Sequence, residues 1–327
     1  MAEYINIKGQ SIEVVASDPA NPTLGQIWYN STSNTLKGQG FSTASWASGN
    51  NAGSLRYSVA GAGLQTAAVA FGGSTYPGGV QTGATEEYDG TSWSPSGSMG
   101  TARYRHRGFG TQTAAVALGG VQNSGPGLTN VEHYNGSTWT SGTGYPVGTQ
   151  RSGAAGTLTA GLAWGGLNAP SDPAVNTTNE YDSSTWTAGG TFPIGVGGAA
   201  GAGTQTAAIS TGGEPPGSGS TITQYYDGTS WSVQGGTLLG ASQQHQVAGT
   251  QTAAVASSVQ PPSANTQVWD GTSWTASSNM TTPRLQCSGA GTATAALVGV
   301  GGPFAAKTVA TEEYTGAAPL TVTITAS

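Results

Sequence analysis

Three arginines at alternate positions, Arg103, Arg105 and Arg107, form the only basic cluster of this chain. Alternate residues of an extended strand share a face, so the three together could hold an anion if that face lined a cavity. The competing use is ion pairing with neighbouring structure. Other reactive groups are sparse. His106, His133 and His245 lie far apart, read as different positions of the repeat described below, and show no metal-ligand spacing. Cys287 is the single cysteine; it excludes an internal disulfide and is expected to be a small buried apolar group. Glu86-Glu87 and Glu312-Glu313 are neighbours on extended segments, so each pair splits between two faces and neither makes a dyad. They read as surface charges or as partners for arginines. No Gly-x-Ser-x-Gly elbow sits between a strand and a helix. The expectation is no catalytic residue, no metal ligand and no cofactor.

The elements that position these residues come from a repeat. Thr66, Thr113, Thr159, Thr206, Thr252 and Thr294 recur at spacings of 47, 46, 47, 46 and 42. Trp46, Trp93, Trp139, Trp186, Trp231 and Trp274 recur at 47, 46, 47, 45 and 43. A period of this size with four short strands per unit predicts a β-propeller. Within 101–141, strand A is expected over 102–110, strand B over 113–118, strand C over 130–134 and strand D around Trp139. Asn135-Gly136 joins C to D, as do Asp89-Gly90, Asp227-Gly228 and Asp270-Gly271; Asp182-Ser183 is a weaker version. Those aspartates read as turn residues, with calcium binding the lesser alternative. Paired glycines close strand B at 72–73, 119–120, 165–166, 212–213 and, shifted by one, 301–302, while the fifth unit carries Ser257-Ser258.

The tryptophans decide closure. Six B strands and six C strands are countable, but only five tryptophans follow a C strand. Trp46 precedes the first A strand and Thr311-Glu-Glu-Tyr314 lacks one. Residues 42–48 are therefore expected to supply the outer strand of the last blade. The reading is an all-β, six-bladed propeller over 41–316, with an N-terminal β arm over 1–40 and a C-terminal β tail over 317–327. The tail strand, Leu320–Thr325, is expected to pair with the arm or with another subunit. Strand alternation places the B–C and D–A loops on one face, where they are long and variable, for example 74–80, 167–178, 214–217 and 259–262. Loops on a rigid scaffold commonly carry function. Tyr76, Tyr145 and Phe192 are the aromatic candidates for ligand contact there.

Composition narrows the partners. Charged residues are 7% and net charge is −6, so no basic face suits nucleic acid. No apolar run is long enough to span a bilayer, and the start, Met1-Ala-Glu-Tyr-Ile-Asn-Ile-Lys8, does not read as a secretory signal.

The sequence Thr101-Ala-Arg-Tyr104, a B strand ending in Gly-Gly, then Tyr-Asp/Asn-Gly and Trp, resembles the kelch motif over about 42–316. The arm segment from Asp18 to Lys37 resembles segments of bacteriophage tail fibres and other virion proteins. The whole pattern is similar to kelch-like structural proteins of marine phages. The resemblance implies a non-enzymatic virion protein that displays the propeller for host attachment at the tail or as a capsid decoration. It implies other virion proteins as partners through 1–40 and the tail, a homo-oligomer on the particle, synthesis in the host cytoplasm, and a host glycan or protein as ligand. Ile27, Trp28 and Tyr29 are the candidate docking residues of the arm. A glycan-binding or glycan-active extracellular propeller and a kelch interaction module are the alternatives.

Overall fold

The computed structural model describes residues 12–168, 174–215, 219–259, 262–301 and 308–324. The regular structure of these residues is entirely β, in two compact units: Ser45–Thr315, and Met1–Ala44 with Gly316–Ser327.

The larger unit is a six-bladed propeller of four-stranded antiparallel sheets. Strands A to D are Ala60–Leu64, Ala67–Phe71, Thr85–Tyr88 and Trp93–Ser96 in blade one, and Arg107–Thr111, Ala114–Leu118, Val131–Tyr134 and Trp139–Ser141 in blade two. Blades three to five repeat the pattern from Gly153 to Ala188, Ala200 to Val233 and Gln246 to Ala276. Blade six takes Ser288–Gly291, Ala295–Gly299 and Thr311–Thr315 from the end of the ring and Ser45–Gly49 from its beginning. Trp46 pairs with Tyr314 there, as Trp93 pairs with Tyr88 in blade one. The A strands are innermost and pack on one another around the ring.

Strand A of blade two starts at Arg107 rather than near Ala102, because Arg105 is left-handed (φ 57) and breaks the extension before it. The turn after strand B also differs from expectation in the last two blades. Its left-handed residues are Ser258 in blade five, and Val300 with Gly301 in blade six. Gly302 lies outside the described residues.

A single blade has little large apolar surface of its own, so stability rests on the seams between blades. Three bonds recur there. The strand-D tryptophan donates its indole N–H to a threonine hydroxyl one blade back: Trp139 to Thr85, Trp231 to Thr178, Trp274 to Thr223, Trp93 to Thr311 and Trp46 to Thr266, all at 2.8–3.1 Å. Blade two carries Val131 at the threonine position, and Trp186 donates instead to the Thr143 carbonyl at 3.0 Å. The glutamine of the A–B turn donates to two carbonyls of the preceding blade: Gln112, for example, reaches Ala68 O and Tyr88 O. The strand-C tyrosine makes the third bond, Tyr88 to Glu313 and Tyr226 to Glu180. Glycine and alanine fill strand A because the ring is crowded at its axis. A Cβ at Gly61 would lie 2.8 Å from Gly289 O, and one at Gly108 would lie 2.9 Å from Gly61 O.

The smaller unit is a four-stranded sheet in the order Glu13–Val15, Ile27–Asn30, Thr35–Phe41 and Pro319–Ile324. The tail thus pairs with the arm, Leu36 opposite Ile324 and Phe41 opposite Pro319.

Trp46 closes the ring, so Trp46→Ala is expected to cost about 3 kcal/mol in equilibrium unfolding and to speed hydrogen exchange selectively in 311–315. Unchanged exchange there would mean that the ring does not depend on this strand.

Candidate functional site

Each D–A loop re-enters the ring through a short stretch that ends in strand A. In blades one, two and six this stretch opens on a buried arginine that pairs with a strand-C glutamate of its own blade: Arg56–Glu86, Arg103–Glu132 and Arg284–Glu312. The carboxylate also accepts loop N–H groups, such as Gly53 on Glu86 at 2.6 Å and Gly100 on Glu132 at 2.7 Å. In blades three to five the same two positions hold Thr149 and Asn179, Val196 and Gln224, and Ser242 and Gln267. Both partners are charged or neither is, because a lone buried charge is costly.

Two residues further on, every blade places one left-handed residue: Ser58 (φ 52), Arg105 (φ 57), Arg151 (φ 56), Gly198 (φ 72), Gln244 (φ 56) and Gln286 (φ 56). Only one of the six is glycine, so five carry backbone strain of about 1 kcal/mol or more each. Backbone bonds join them around the axis: Arg151 N to Arg105 O, Gly198 N to Arg151 O, Gln244 N to Gly198 O and Ser58 N to Gln286 O, at 2.6–2.9 Å. The ring sits at the loop-face end of the A strands and frames the mouth of a central channel of about 160 Å³ lined mostly by glycine and alanine. Beside that mouth is a cavity of about 30 Å³ whose walls include Ser58, Arg105, Arg107, Arg151, Gln244 and Gln286.

The arginine cluster read from sequence is therefore split. Arg103 does not share a face with the other two; it is buried in its blade against Glu132. Arg105 donates to Gln150 Oε1 at 3.2 Å and lies over the Tyr104 ring at 5.0 Å. Arg107 lines the channel and bridges the next two blades, donating to Ser152 O at 2.6 Å and Ala199 O at 2.9 Å. Arg151, missed in the sequence reading, completes the group, 3.6 Å from the half-exposed Glu214. Burial pushes the Arg107 guanidinium down to about 10, and the Arg151 charge acts in the same direction. Burial and then the Arg105 charge lower Arg151.

Of the loop aromatics, only Tyr76 is exposed, at 38%. Tyr145 and Phe192 are buried at 2% and 0%, each edge-on to the tryptophan of the following blade, Trp186 at 4.8 Å and Trp231 at 4.7 Å. They are plugs rather than ligand contacts. Ala52, Met99, Leu238 and Met280 are the buried equivalents in the other blades, and each of the six backbone N–H groups bonds to a B–C loop carbonyl at 2.8–3.0 Å. That shared register was the available signal. Parts of the loops 167–178, 214–217 and 259–262 lie outside the described residues, as do 1–11 of the arm.

His106 and His245 occupy the same blade position, with Cys287 at its equivalent in blade six, contrary to the expectation of unrelated positions. All three are buried, and burial pushes His245 down to about 3. His245 Nε2 shares a 2.8 Å hydrogen bond with Thr211 Oγ1. Among the described residues no three His, Cys, Asp or Glu side chains gather as a metal site.

In the terminal sheet, Trp28 is fully buried and its indole donates to Asp18 at 3.0 Å, so it is unavailable for docking. Asn30 and Lys37 also donate to Asp18, at 2.7 Å each, and with Trp28 hold its carboxyl down at about 2, Lys37 having the largest effect. Strand alternation puts Ile27 and Tyr29 on the opposite face, where both are half-buried.

No protein-family model matches the chain, and no curated protein matches it significantly. The solved structure of YjhT is similar, with a TM-score of 0.65 and 13% identity, covering 82% of this chain and 95% of that one. The likeness supports the propeller fold and carries nothing about activity.

Two outcomes test this site. Ser58→Gly removes a left-handed serine whose buried hydroxyl has no partner, and should stabilise by about 1 kcal/mol; a loss of stability would show that the serine is held by something else. Glu132→Asn alone should cost about 3–5 kcal/mol, and adding Arg103→Thr should recover most of it. Equal unfolding midpoints for the single and double variants would contradict the pairing rule.

Proposed function

We propose that this chain is a non-enzymatic structural protein of a bacteriophage particle. Its terminal sheet docks on another virion protein, and its propeller is displayed for host-surface adhesion or as a capsid decoration. The observation that carries this reading is the apolar face of the terminal sheet. Val14, Tyr29, Ile27, Leu36, Ile324, Val322 and Leu320 share that face by register. Val14 is 67% exposed, Leu320 45% and Val322 40%. The opposite face is the one organised by Asp18, Trp28, Asn30 and Lys37, so the sheet has its own folding centre and leaves its apolar side for a partner. The arm's resemblance to virion segments supplies the kind of partner. The variable loops and the polar channel mouth occupy one end of the propeller, which suits recognition there. That same mouth favours a second reading, a glycan-binding propeller that works free of any particle.

Cryo-EM of purified particles is the test. Density for the propeller, lost in particles carrying Leu320→Asp with Val322→Asp while the isolated variant still folds, is the expected result. Particles without this chain would overturn the virion reading. Unchanged incorporation of the variant would overturn docking through this face.

A further inference from the structure

We infer that the channel mouth is a binding site for a hydroxylated carboxylate, presented as the end group of an acidic saccharide or as a free sugar acid. The inference deepens the recognition role proposed above and rests on the loop face being the recognising face.

Three arginines, Arg105, Arg107 and Arg151, line one small cavity, and among the described residues no carboxylate lines it. The acid near the group, Glu214, stands to one side of Arg151 and is 39% exposed. Elsewhere in this propeller the buried arginines Arg56, Arg103 and Arg284 are each paired with a glutamate. Among the described residues Arg105 and Arg107 have no ion-pair partner and Arg151 has only the partly exposed Glu214, so the mouth departs from that rule, and like charges gathered with so little compensation are destabilising. The same residues carry backbone strain. Arg105, Arg151, Gln244 and Gln286 are left-handed, although Gly198 shows that glycine fits the ring. Long polar and charged side chains kept at these positions, together at a concave site, point to a ligand.

The remaining polar groups specify its class. Gln286 Oε1 and Ser58 Oγ have no partner; the Nε atoms of Arg105 and Arg151 also lack acceptors, as do those of the paired Arg56, Arg103 and Arg284. Gln286 donates to Gln244 Oε1 at 2.7 Å, which fixes its amide, and its own carbonyl oxygen is buried without a partner. A simple anion would answer the arginines and leave the amide oxygen unmet. A ligand with both a carboxylate and a hydroxyl answers both. The cavity, about 30 Å³, is close to two water-sized spheres. Guanidinium forks match a carboxylate edge.

Calorimetry on the purified full chain tests the site without any particle, so its outcome is separate from the virion reading. The probes are galacturonate, a galacturonate-terminated oligosaccharide, lactate, acetate, phosphate and galactose. Galacturonate should bind, and binding should weaken as salt is raised. Galactose should not bind at the same concentration, and acetate should bind more weakly than lactate. Arg105→Gln with Arg151→Gln should weaken binding by about tenfold or more. Glutamine already stands at the equivalent left-handed positions in blades five and six, so these substitutions suit the backbone. If the double variant melts early, Arg105→Gln alone should still show the loss. Tighter binding of the oligosaccharide than of the monosaccharide assigns the ligand to a saccharide end; the reverse assigns it to a free acid. Galactose binding as well as galacturonate, phosphate binding where carboxylates do not, no binding of any carboxylate, or variants that bind like the parent would each overturn the inference.

Discussion

The hydrogen bond from each outer tryptophan to the blade behind it is the constraint on which the rest of this propeller depends. A blade of alanine, glycine and threonine buries too little apolar area to stand alone. The strand-D indole contributes its ring to the seam and directs its N–H at a threonine of the neighbouring blade, so each blade is held by the next. The bond is preserved even where its acceptor is lost. With valine at 131, Trp186 turns to the Thr143 carbonyl instead. A ring built from such one-way contacts has no natural end. The first and last blades must satisfy each other, which is why Trp46, from the start of the ring, reaches Thr266 in blade five.

Closure has consequences at the axis. Six seams drawn tight bring the A strands together until glycine and alanine predominate there, as the 2.8 Å approach that a Cβ at Gly61 would make to Gly289 O shows. The chain arrives at each A strand from a loop on the rim and must turn sharply to enter it. The left-handed residue in every blade makes that turn. Its strain is small beside the seams that impose it, so polar residues with long side chains are tolerated where glycine would be easier. The same frame governs buried charge. Arg103 is accepted inside a blade because Glu132 is there with it, and blades lacking the arginine lack the acid too.

The sequence made the period, the blade count and the closing strand legible, because each rests on local chemistry: Asn-Gly and Asp-Gly turns, paired glycines, and tryptophans too large to be misplaced. Side-chain direction was less legible. Strand alternation assigned Arg103, Arg105 and Arg107 to one face, but a left-handed arginine in the middle of the run re-aims everything before it, and propensity argues against such a residue. Tyr145 and Phe192 looked like loop aromatics when each loop was read alone. Aligned with Met99, Leu238 and Met280, they are the buried plug of the repeat. Trp28 failed for a related reason: Asp18, ten residues earlier in the connection between two parallel strands, captures its indole. In each case the deciding feature, a backbone conformation or a packed neighbour, was one that residue type and strand alternation alone do not encode.

The ring is nearly six-fold in backbone and far from six-fold in chemistry. At the one left-handed position per blade, the side chains run serine, arginine, arginine, glycine, glutamine and glutamine from blade one to blade six. Arg107 adds a third guanidinium on the arginine side. The mouth therefore has a cationic half and an amide half, separated by the small residues Ser58 and Gly198. A symmetric scaffold would bind a small ligand in six equivalent ways, whereas this distribution leaves one orientation, with the anion toward blades two and three and hydroxyls toward blades five and six. Backbone repetition supplies the rigid frame. The departures from repetition at its mouth supply the specificity, and they fall where side-chain changes leave the seams untouched.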